Sequence, residues 1–360
     1  MATAWKTTYI EGGTFLGNAY IKNGQTVFRI TDGSFSTDAL SSYCAEGYGM
    51  AYDAVSGRYV CSSAAATPGY TVGGDGNVTI SAASGLTYFA AQVNNGNTYE
   101  GRTVTLTDNI TLTDWTPAGS YSDGGSKVFK GTFNGGGHTV SWTNAAGGGF
   151  FGATAGATIK GLTVEGTITP DRTKYIGGIV GHGSAAIDSC TFKGTISGSG
   201  TAQVGGIAGS GAFTVKDCTV EGDITGSTWV GGITGNVQSG SDAYTNCRVT
   251  GTVKATLETG NSGISAGGIA AAVSDAAQVI SGCYADVYVM VNDTEVNCPI
   301  IGGYNSDTIT AETILHIDGN GWNLDKNSNT AYPVLVNGGE IGKWIARGAL
   351  TAAPFELTVT

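Results

Sequence analysis

The sequence contains few charged residues, few prolines and no long apolar run. Charged residues make up 12% of its 360 residues, against about 25% in a typical globular domain. The six prolines are too few for a collagen-like or proline-rich chain. No apolar segment approaches the roughly 18 residues that cross a bilayer as a helix, so we expect no membrane insertion.

Basic residues are scarce as well. The chain has 17 lysines and arginines against 28 acidic residues, a formal net charge of −11, and the basic residues form no cluster. Binding to a phosphate backbone needs clustered basic side chains, so we exclude a nucleic-acid partner. The first six residues also lack the charged and apolar regions of a signal peptide. We therefore expect this sequence to be a piece of a longer secreted protein, with the signal and the anchor elsewhere.

Glycine is abundant instead, with 60 residues against an average share of roughly 7%. Apolar residues make up 41% of the chain, which is enough for a core. Threonine favours strands, and glycine and asparagine favour turns. The composition therefore predicts short strands joined by many turns.

Two short motifs alternate through the middle of the chain, and the first repeats at steps of 28, 26 and 36 residues from Gly177 to Gly205, Gly231 and Gly267. Its copies are YIGGIVG (Tyr175–Gly181), VGGIAG (Val204–Gly209), VGGITG (Val230–Gly235) and AGGIAA (Ala266–Ala271). Copies of the second motif are KGLTVEGTI (Lys160–Ile168), DSCTFKGTI (Asp188–Ile196), KDCTVEGDI (Lys216–Ile224) and TNCRVTGTV (Thr245–Val253). A unit this short cannot bury its apolar face alone, but stacked units can. The repeat predicts an all-β fold, a right-handed parallel β-helix.

Stacking in register would align equivalent residues in columns. One predicted core column is Leu162, Cys190, Cys218, Cys247 and Cys283, and others are Ile168, Ile196, Ile224 and Val253, and Ile179, Ile207, Ile233 and Ile269. The leucine indicates that the cysteines are buried fillers with free thiols, because in-register side chains rarely meet disulfide geometry. An outward ladder of alternating charge is Glu165, Lys193, Glu221 and Thr250.

The repeat divides the chain into segments. We predict a small N-terminal β-rich module over 1–62, a linker over 63–69, an N-terminal cap and first coils over 70–146, repeats over 147–300, and a C-terminal coil and cap over 301–360. The N-terminal module has strand-like runs at Gln25–Thr31 and Arg58–Cys61 and a helical turn over 38–46. The cap contains a short helix over 84–94 that Ser84 could cap, followed by a strand pair over 103–112.

Seven cysteines form an odd set, so at least one is unpaired in a monomer. Cys44 and Cys61 could pair in an oxidising compartment, and the sequence leaves the free and the paired states open.

These residues carry a resemblance to a known family. The repeated VGGIAG, VGGITG and YIGGIVG, alternating with KGLTVEG and CTVEGDI, resemble the GLUG-motif repeats of bacterial surface proteins, over about residues 70–340. Residues 34–60 also resemble a short module of large surface proteins of gut bacteria. The resemblance implies a right-handed β-helix, an extracellular or cell-surface location and an adhesin-like role. Such repeats also occur beside the catalytic part of bacterial immunoglobulin-A metalloproteases, but this sequence has no HExxH zinc motif.

Motifs for chemistry are weak. Asp188 and Asp217 are interpreted as sharing one column, where aspartate more often forms a turn than a catalytic pair. His138, His182 and His316 are scattered without a partner motif. Two calcium-loop fragments, at 73–77 and 325–329, are incomplete. We predict no catalytic residue, no metal site and no cofactor.

One column is a candidate ligand-binding face. Tyr175, Gln203 and Trp229 each precede an apolar residue that is expected to point inward, so strand alternation turns these three outward. Exposed aromatic rings could stack on sugars or anchor a protein partner. Alternatively, they shield an adjacent loop.

The leading hypothesis is a non-enzymatic, adhesin-like cell-surface module that binds a glycan or a host surface protein through a face of the β-helix, as a monomer. One alternative is a carbohydrate-active β-helix enzyme, a polysaccharide lyase or glycoside hydrolase, which would need a groove with convergent carboxylates. A further alternative is a passive stalk that projects a neighbouring domain.

Overall fold

The structure is a computed structural model with two compact units, Met1–Phe89 and Ala90–Thr360. The predicted boundaries at 62, 69, 146 and 300 stay predictions. The residues that the structure describes are 6–15, 26–36, 40–45, 48–53, 58–62, 67–73, 75–122, 126–145, 147–169, 174–198, 203–237, 242–256, 265–273, 279–291, 294–295, 301–304, 317–318, 321–322, 333–335 and 341–343.

The first unit contains a four-stranded sheet. Its strands are β1 (Lys6–Phe15), β2 (Thr26–Phe35), β3 (Gly49–Asp53) and β4 (Arg58–Ser62), in the order β1-β2-β4-β3. β1 and β2 run parallel, whereas β4 runs antiparallel to both of its neighbours. The predicted helical turn is a short 3-10 helix, Ser41–Tyr43. The core of this sheet is Ile30, Phe35, Leu40, Met50 and Cys61.

A hairpin and the one α-helix of the described residues follow. β5 (Tyr70–Val72) pairs antiparallel with β6 (Val78–Ile80). The helix α1 (Ala83–Asn94) lies where the sequence predicts it, with its apolar residues Leu86, Phe89, Ala90 and Val93 buried. Ser84 does not cap it, because its Oγ donates to the carbonyl of Pro68 at 2.7 Å. In the part of the chain that the structure describes, no helix has the length and apolar character for a membrane crossing.

The second unit is built of short strands. In chain order they are β7 (Thr103–Leu106), β8 (Ile110–Trp115), β9 (Thr132–Asn134), β10 (Thr139–Ala145), β11 (Phe151–Lys160), β12 (Thr163–Ile168), β13 (Tyr175–Gly177), β14 (Val180–Asp188), β15 (Thr191–Ser197), β16 (Gln203–Gly205), β17 (Ala208–Lys216), β18 (Thr219–Gly226), β19 (Trp229–Gly231), β20 (Thr234–Val237), β21 (Ala243–Thr245), β22 (Arg248–Ala255), β23 (Ser265–Gly267), β24 (Ala270–Val273), β25 (Val279–Ser281), β26 (Tyr284–Val291), β27 (Thr294–Glu295), β28 (Ile301–Tyr304), β29 (Ile317–Asp318), β30 (Gly321–Trp322), β31 (Pro333–Leu335) and β32 (Ile341–Lys343).

These strands stack into three sheets along a parallel β-solenoid of about six turns. A coil such as β13, β14 and β15 supplies one strand to each sheet, and the next coil pairs with it as β16, β17 and β18. The pairs between coils are parallel, while the short strands β27 and β32 pair antiparallel with their neighbours. Right-handed winding is the sense that parallel crossover connections strongly favour. The predicted fold class, an all-β parallel β-helix with a short helix and a small β-rich N-terminal module, is confirmed.

The first two strands of this unit are not paired with each other. The sequence predicts a strand pair over 103–112, but β7 pairs with β9 and β8 pairs with β10. They belong to two different sheets because the coil turns a corner between them. The predicted pairing is therefore wrong, although both strands form.

The predicted core columns are confirmed. Ile168 pairs with Ile196, Ile196 with Ile224 and Ile224 with Val253, one coil apart in each case, and these side chains are fully buried. The cysteine column is buried as well, and none of its four members forms a disulfide with another described cysteine. The outward ladder is also in register, and Lys193 lies 3.4 Å from Glu221 across it.

The glycine pairs of the first motif allow a tight corner between two sheets. A Cβ atom on Gly205 would lie 2.1 Å from the carbonyl oxygen of Ala208 and 2.6 Å from that of Ile233 in the next coil. Real Cβ atoms do not approach this closely, so only glycine fits. The backbone of one coil can therefore rest directly on the next at this corner.

Asp188 and Asp217 do not share a column, and this interpretation of the sequence is wrong. Asp188 pairs with Lys216, whereas Asp217 occupies the next position, a left-handed corner with φ of 52°. Other left-handed corner residues in successive coils are Gly161, Ser189, Asn246 and Gly282. Asparagine and aspartate tolerate this conformation, and Asn246 Nδ2 donates to Asp217 Oδ1 at 3.1 Å. The carboxylate serves the turn.

The C-terminal predictions fall largely outside the described residues. The predicted C-terminal coil and cap over 301–360 is described only over 301–304, 317–318, 321–322, 333–335 and 341–343. The second calcium-loop fragment, 325–329, and His316 lie outside the described residues.

The column of isoleucines generates a stability prediction. We expect Ile196→Ala to lower the free energy of unfolding by about 2–5 kcal/mol, because it leaves a cavity between two coils. Lys193→Ala, on the same strand and outward, should cost less than about 1 kcal/mol. Urea denaturation of both variants measures the difference, and equal losses would contradict the assignment of inner and outer faces.

Candidate functional site

The predicted ligand-binding column exists as a column. Tyr175 pairs with Gln203, and Gln203 pairs with Trp229, along β13, β16 and β19. The residues that follow them, Ile176 and Val204 among others, are fully buried as expected. All three column residues are half-buried rather than fully exposed. Whether they bind a ligand stays a prediction.

Two further rings cover Tyr175. Its ring centroid lies 4.5 Å from that of His182 and 5.1 Å from that of Tyr121, which meets it edge-on at 78°. Tyr121 and His182 are in turn 4.2 Å apart. We call these three residues the aromatic cluster. The sequence gives His182 no partner motif, but the structure packs its ring against those of Tyr175 and Tyr121.

The fold explains how the cluster forms. Tyr175 and His182 flank the glycine corner between β13 and β14, so the chain folds back and places their side chains together. Tyr121 belongs to the segment after β8, which does not repeat, so periodicity gives no signal for it. The cluster thus combines one irregular segment with two positions of the repeat.

Two members of the cluster, Tyr121 and His182, line a pocket of about 510 Å³. Its floor consists of small residues from β11, β14 and β17, so the pocket crosses three successive coils. Tyr121, which is 37% exposed, stands at its rim. The lining residues are Tyr121, Ser126, Val128, Thr154, Ala155, His182, Gly183, Ser184, Gly211 and Ala212.

The described lining of the pocket is uncharged near neutral pH. Burial lowers the pKa of His182 below its usual 6.5, because the charged imidazolium loses hydration. No carboxylate, lysine or arginine is among the described lining residues, and within the described residues no three histidine, cysteine or acidic side chains are grouped to hold a metal ion. The pocket therefore offers ring faces, hydroxyl groups and a neutral imidazole.

Two polar atoms at the site have no hydrogen-bond partner in the described structure. Oγ1 of Thr154, in the pocket wall, and Oε1 of Gln203, in the neighbouring column, are both buried. Buried polar atoms in folded proteins nearly always have a partner, which can be water or a ligand. Four other described side chains, those of Gln92, Ser210, Thr228 and Asn236, each have such an atom too, so these two atoms alone do not mark a binding site.

The cysteine column of the solenoid core lacks the exposure that a reactive thiol needs. A hydrogen bond with Cys190, together with burial, raises the pKa of the Cys218 thiol. Cys190 and Cys218 also contact backbone carbonyl oxygens, those of Asp188 and Lys216, at 3.3 and 3.2 Å. Reactive cysteines are partly exposed, whereas all four thiols of this column are buried, so the column is structural.

The first calcium-loop fragment is a hairpin turn. It connects β5 and β6, and Asp75 accepts hydrogen bonds at Oδ1 from the backbone N–H of Asn77, at 3.0 Å, and at Oδ2 from its Nδ2, at 2.7 Å. Both carboxylate oxygens of Asp75 thus serve the turn.

The described coils correspond to a known motif. Residues 173–197 and 200–225 match the family described as the GLUG motif, and each match spans one coil of three strands, β13–β15 and β16–β18. The chain therefore carries GLUG motifs, and the resemblance is confirmed for these coils. The resemblance of residues 34–60 stays a prediction.

A solved structure also aligns with the chain. It is a protein from Bacteroides ovatus, provisionally described as an immunoglobulin A1 protease, with 16% identity and a TM-score of 0.49 over 76% of this chain and 80% of that one. A likeness at this level carries no argument about activity. No curated protein matches the sequence significantly.

The buried imidazole generates a pH prediction. We expect His182 to titrate below 6.5, and Tyr121→Ala to move its pKa back upward, because the variant exposes the ring. Since the unfolded chain binds this proton more readily, the group lowers folding stability as the pH falls below about 6.5. NMR titration of histidine-labelled protein measures both values, and a pKa at or above the usual one would contradict the packing of the cluster.

Proposed function

We propose that this chain is a non-enzymatic module of a bacterial cell-surface protein that binds an uncharged glycan at the aromatic cluster. The GLUG motifs and the β-solenoid support the surface role, since the sequence resembles repeats of bacterial surface proteins. The observation that carries the binding role is the aromatic cluster over a neutral pocket on a rigid stack of coils.

The chemistry of the pocket favours a sugar. Aromatic rings offer apolar faces, and the ring faces of sugars are apolar as well, while the hydroxyls of Ser126 and Ser184 and the imidazole of His182 offer hydrogen-bonding groups. Ligand pockets of about 300–1,000 Å³ suit small molecules or short oligomers. A host protein would need a larger face, on the order of 800 Å² per partner, so a glycan is the proposed ligand.

The column beside the pocket extends the proposed site. Gln203 and Trp229 lie one and two coils beyond Tyr175, and neighbouring strands are about 4.8 Å apart. A linear glycan that runs along the solenoid axis would therefore contact the aromatic cluster first and Trp229 about two strand spacings away. In this proposal one end of the glycan binds in the pocket, and the column of Gln203 and Trp229 contacts the sugars that extend beyond it.

The absence of carboxylates among the described lining residues supports the non-enzymatic role. Glycoside hydrolysis uses two carboxyl groups that flank the scissile bond, and neutral hydroxyls and a weakly basic imidazole do not replace them. An incubation with candidate polysaccharides should therefore release no new reducing ends and no unsaturated products. Release of either would favour the carbohydrate-active enzyme.

Alanine variants test the binding site. We expect Tyr121→Ala to weaken glycan binding roughly tenfold or more, because it removes a ring that the bound ligand would shield from water. Trp229→Ala should weaken it less and only for longer glycans. A glycan array followed by calorimetry on the best ligand measures both effects.

Tyr288→Ala is the matched control, because Tyr288 is an aromatic residue, 45% exposed, on β26 and outside the pocket. It should bind as the wild type does. Unchanged binding by Tyr121→Ala would contradict the site, and a folded wild-type protein that binds no glycan would favour the passive stalk.

A further inference from the structure

Two cysteines of the N-terminal sheet meet in its core. The sulfur atoms of Cys44 and Cys61 lie 3.3 Å apart. Cys61 is fully buried among the core residues Ile30, Phe35 and Met50, whereas Cys44 is half-buried. The two cysteines are 17 residues apart in the sequence, so the fold brings them together.

The backbone fixes both positions independently. Cys44 forms a parallel bridge with Ile30, and the N–H of the next residue, Ala45, donates to the Ile30 carbonyl at 2.8 Å. Cys61 pairs with Gly33 of the same strand, β2, and with Met50 of β3. The two sulfurs therefore need only a small side-chain movement to reach the bonded separation of about 2.05 Å.

The four thiols of the solenoid column provide a contrast within the chain. Their side chains leave parallel, in-register backbones in the same direction, an arrangement that rarely meets disulfide geometry. All four are fully buried. Cys44 and Cys61 instead approach from a segment after the 3-10 helix and from an antiparallel strand, and Cys44 leaves an opening to an oxidant.

We propose that Cys44 and Cys61 form a structural disulfide, while the column thiols stay reduced. The oxidant is a disulfide-bearing compound or protein of an oxidising compartment. The Cys44 thiolate displaces one thiol of the oxidant and forms a mixed disulfide. The Cys61 thiolate then attacks the Cys44 sulfur, which forms the Cys44–Cys61 bond and releases the second thiol. The pair loses two electrons and two protons, and the oxidant gains them as two thiols.

The short separation of the two sulfur atoms suits the second step. The hydrogen bond between the two thiols raises the pKa of Cys44 and lowers that of Cys61, but it is lost once Cys44 enters the mixed disulfide, so the attack of Cys61 depends on proximity. A disulfide here would close a loop that contains β3 and the start of β4, and such closure stabilises the folded state by restricting the unfolded chain. The inference does not depend on glycan binding.

Peptide mapping tests this proposal on the full chain. The protein is equilibrated with oxidised glutathione, its remaining thiols are alkylated in denaturant, and it is cut after arginine and lysine. Residues 30–58 contain Cys44 and residues 59–102 contain Cys61, so the disulfide appears as these two peptides joined, two hydrogens lighter than their sum. The peptides of the four column cysteines should carry the alkyl group.

Alkylation of both Cys44 and Cys61, or a bond from either one to another cysteine, would overturn the proposal. A second measurement is the thermal midpoint of the oxidised protein, which a reductant should lower by several degrees. Cys44→Ser should remove this dependence on reductant, while Cys247→Ser, in the column, should retain it. The same thermal midpoint for the oxidised wild type with and without reductant would also overturn the proposal.

Discussion

Each coil of the solenoid is held by parallel, in-register pairing with the coils before and after it. A coil of three short strands encloses few apolar side chains, and their burial depends on the neighbouring coils. Pairing in register places isoleucine over isoleucine and glycine corner over glycine corner, so the same contacts recur at every level. A shift of the pairing register by one residue would turn each inward side chain outward. This constraint explains why the copies of each motif are so similar in sequence.

The same constraint separates positions that must repeat from positions that are free to differ. Inward columns repeat because their side chains pack on one another between coils, and glycine corners repeat because backbone meets backbone there. Outward positions vary from coil to coil, as Tyr175, Gln203 and Trp229 do along one column. The candidate site lies where a varying column meets an irregular segment, since Tyr121 packs onto Tyr175 and His182. Rigid coils then hold the rings in place, so a ligand would meet a preformed surface.

Much of the fold could be predicted from the sequence because stacked coils need the same type of residue at the same motif position, so each signal occurs several times. Ile168 and Ile196 identified a buried column since they recur at one motif position. Single positions were harder. Asp188 and Asp217 were assigned to one column, but they differ by one position at a left-handed corner. The aromatic cluster was missed because Tyr121 belongs to no repeat. It was also missed because nothing in the sequence indicates that the glycine corner brings His182 against Tyr175, seven positions earlier.

The most direct test of the account is a distance measured across several coils. Ser141 and Thr250 lie at the two ends of a run of paired residues through Glu165, Lys193 and Glu221, four strand spacings apart. Nitroxide labels on ketone-bearing residues at positions 141 and 250 would spare the native thiols, and pulsed electron paramagnetic resonance would report their separation. In-register stacking predicts one main distance near about 19 Å, widened by the label tethers. A clearly longer main distance, or a broad spread without a maximum there, would contradict the stacked coils.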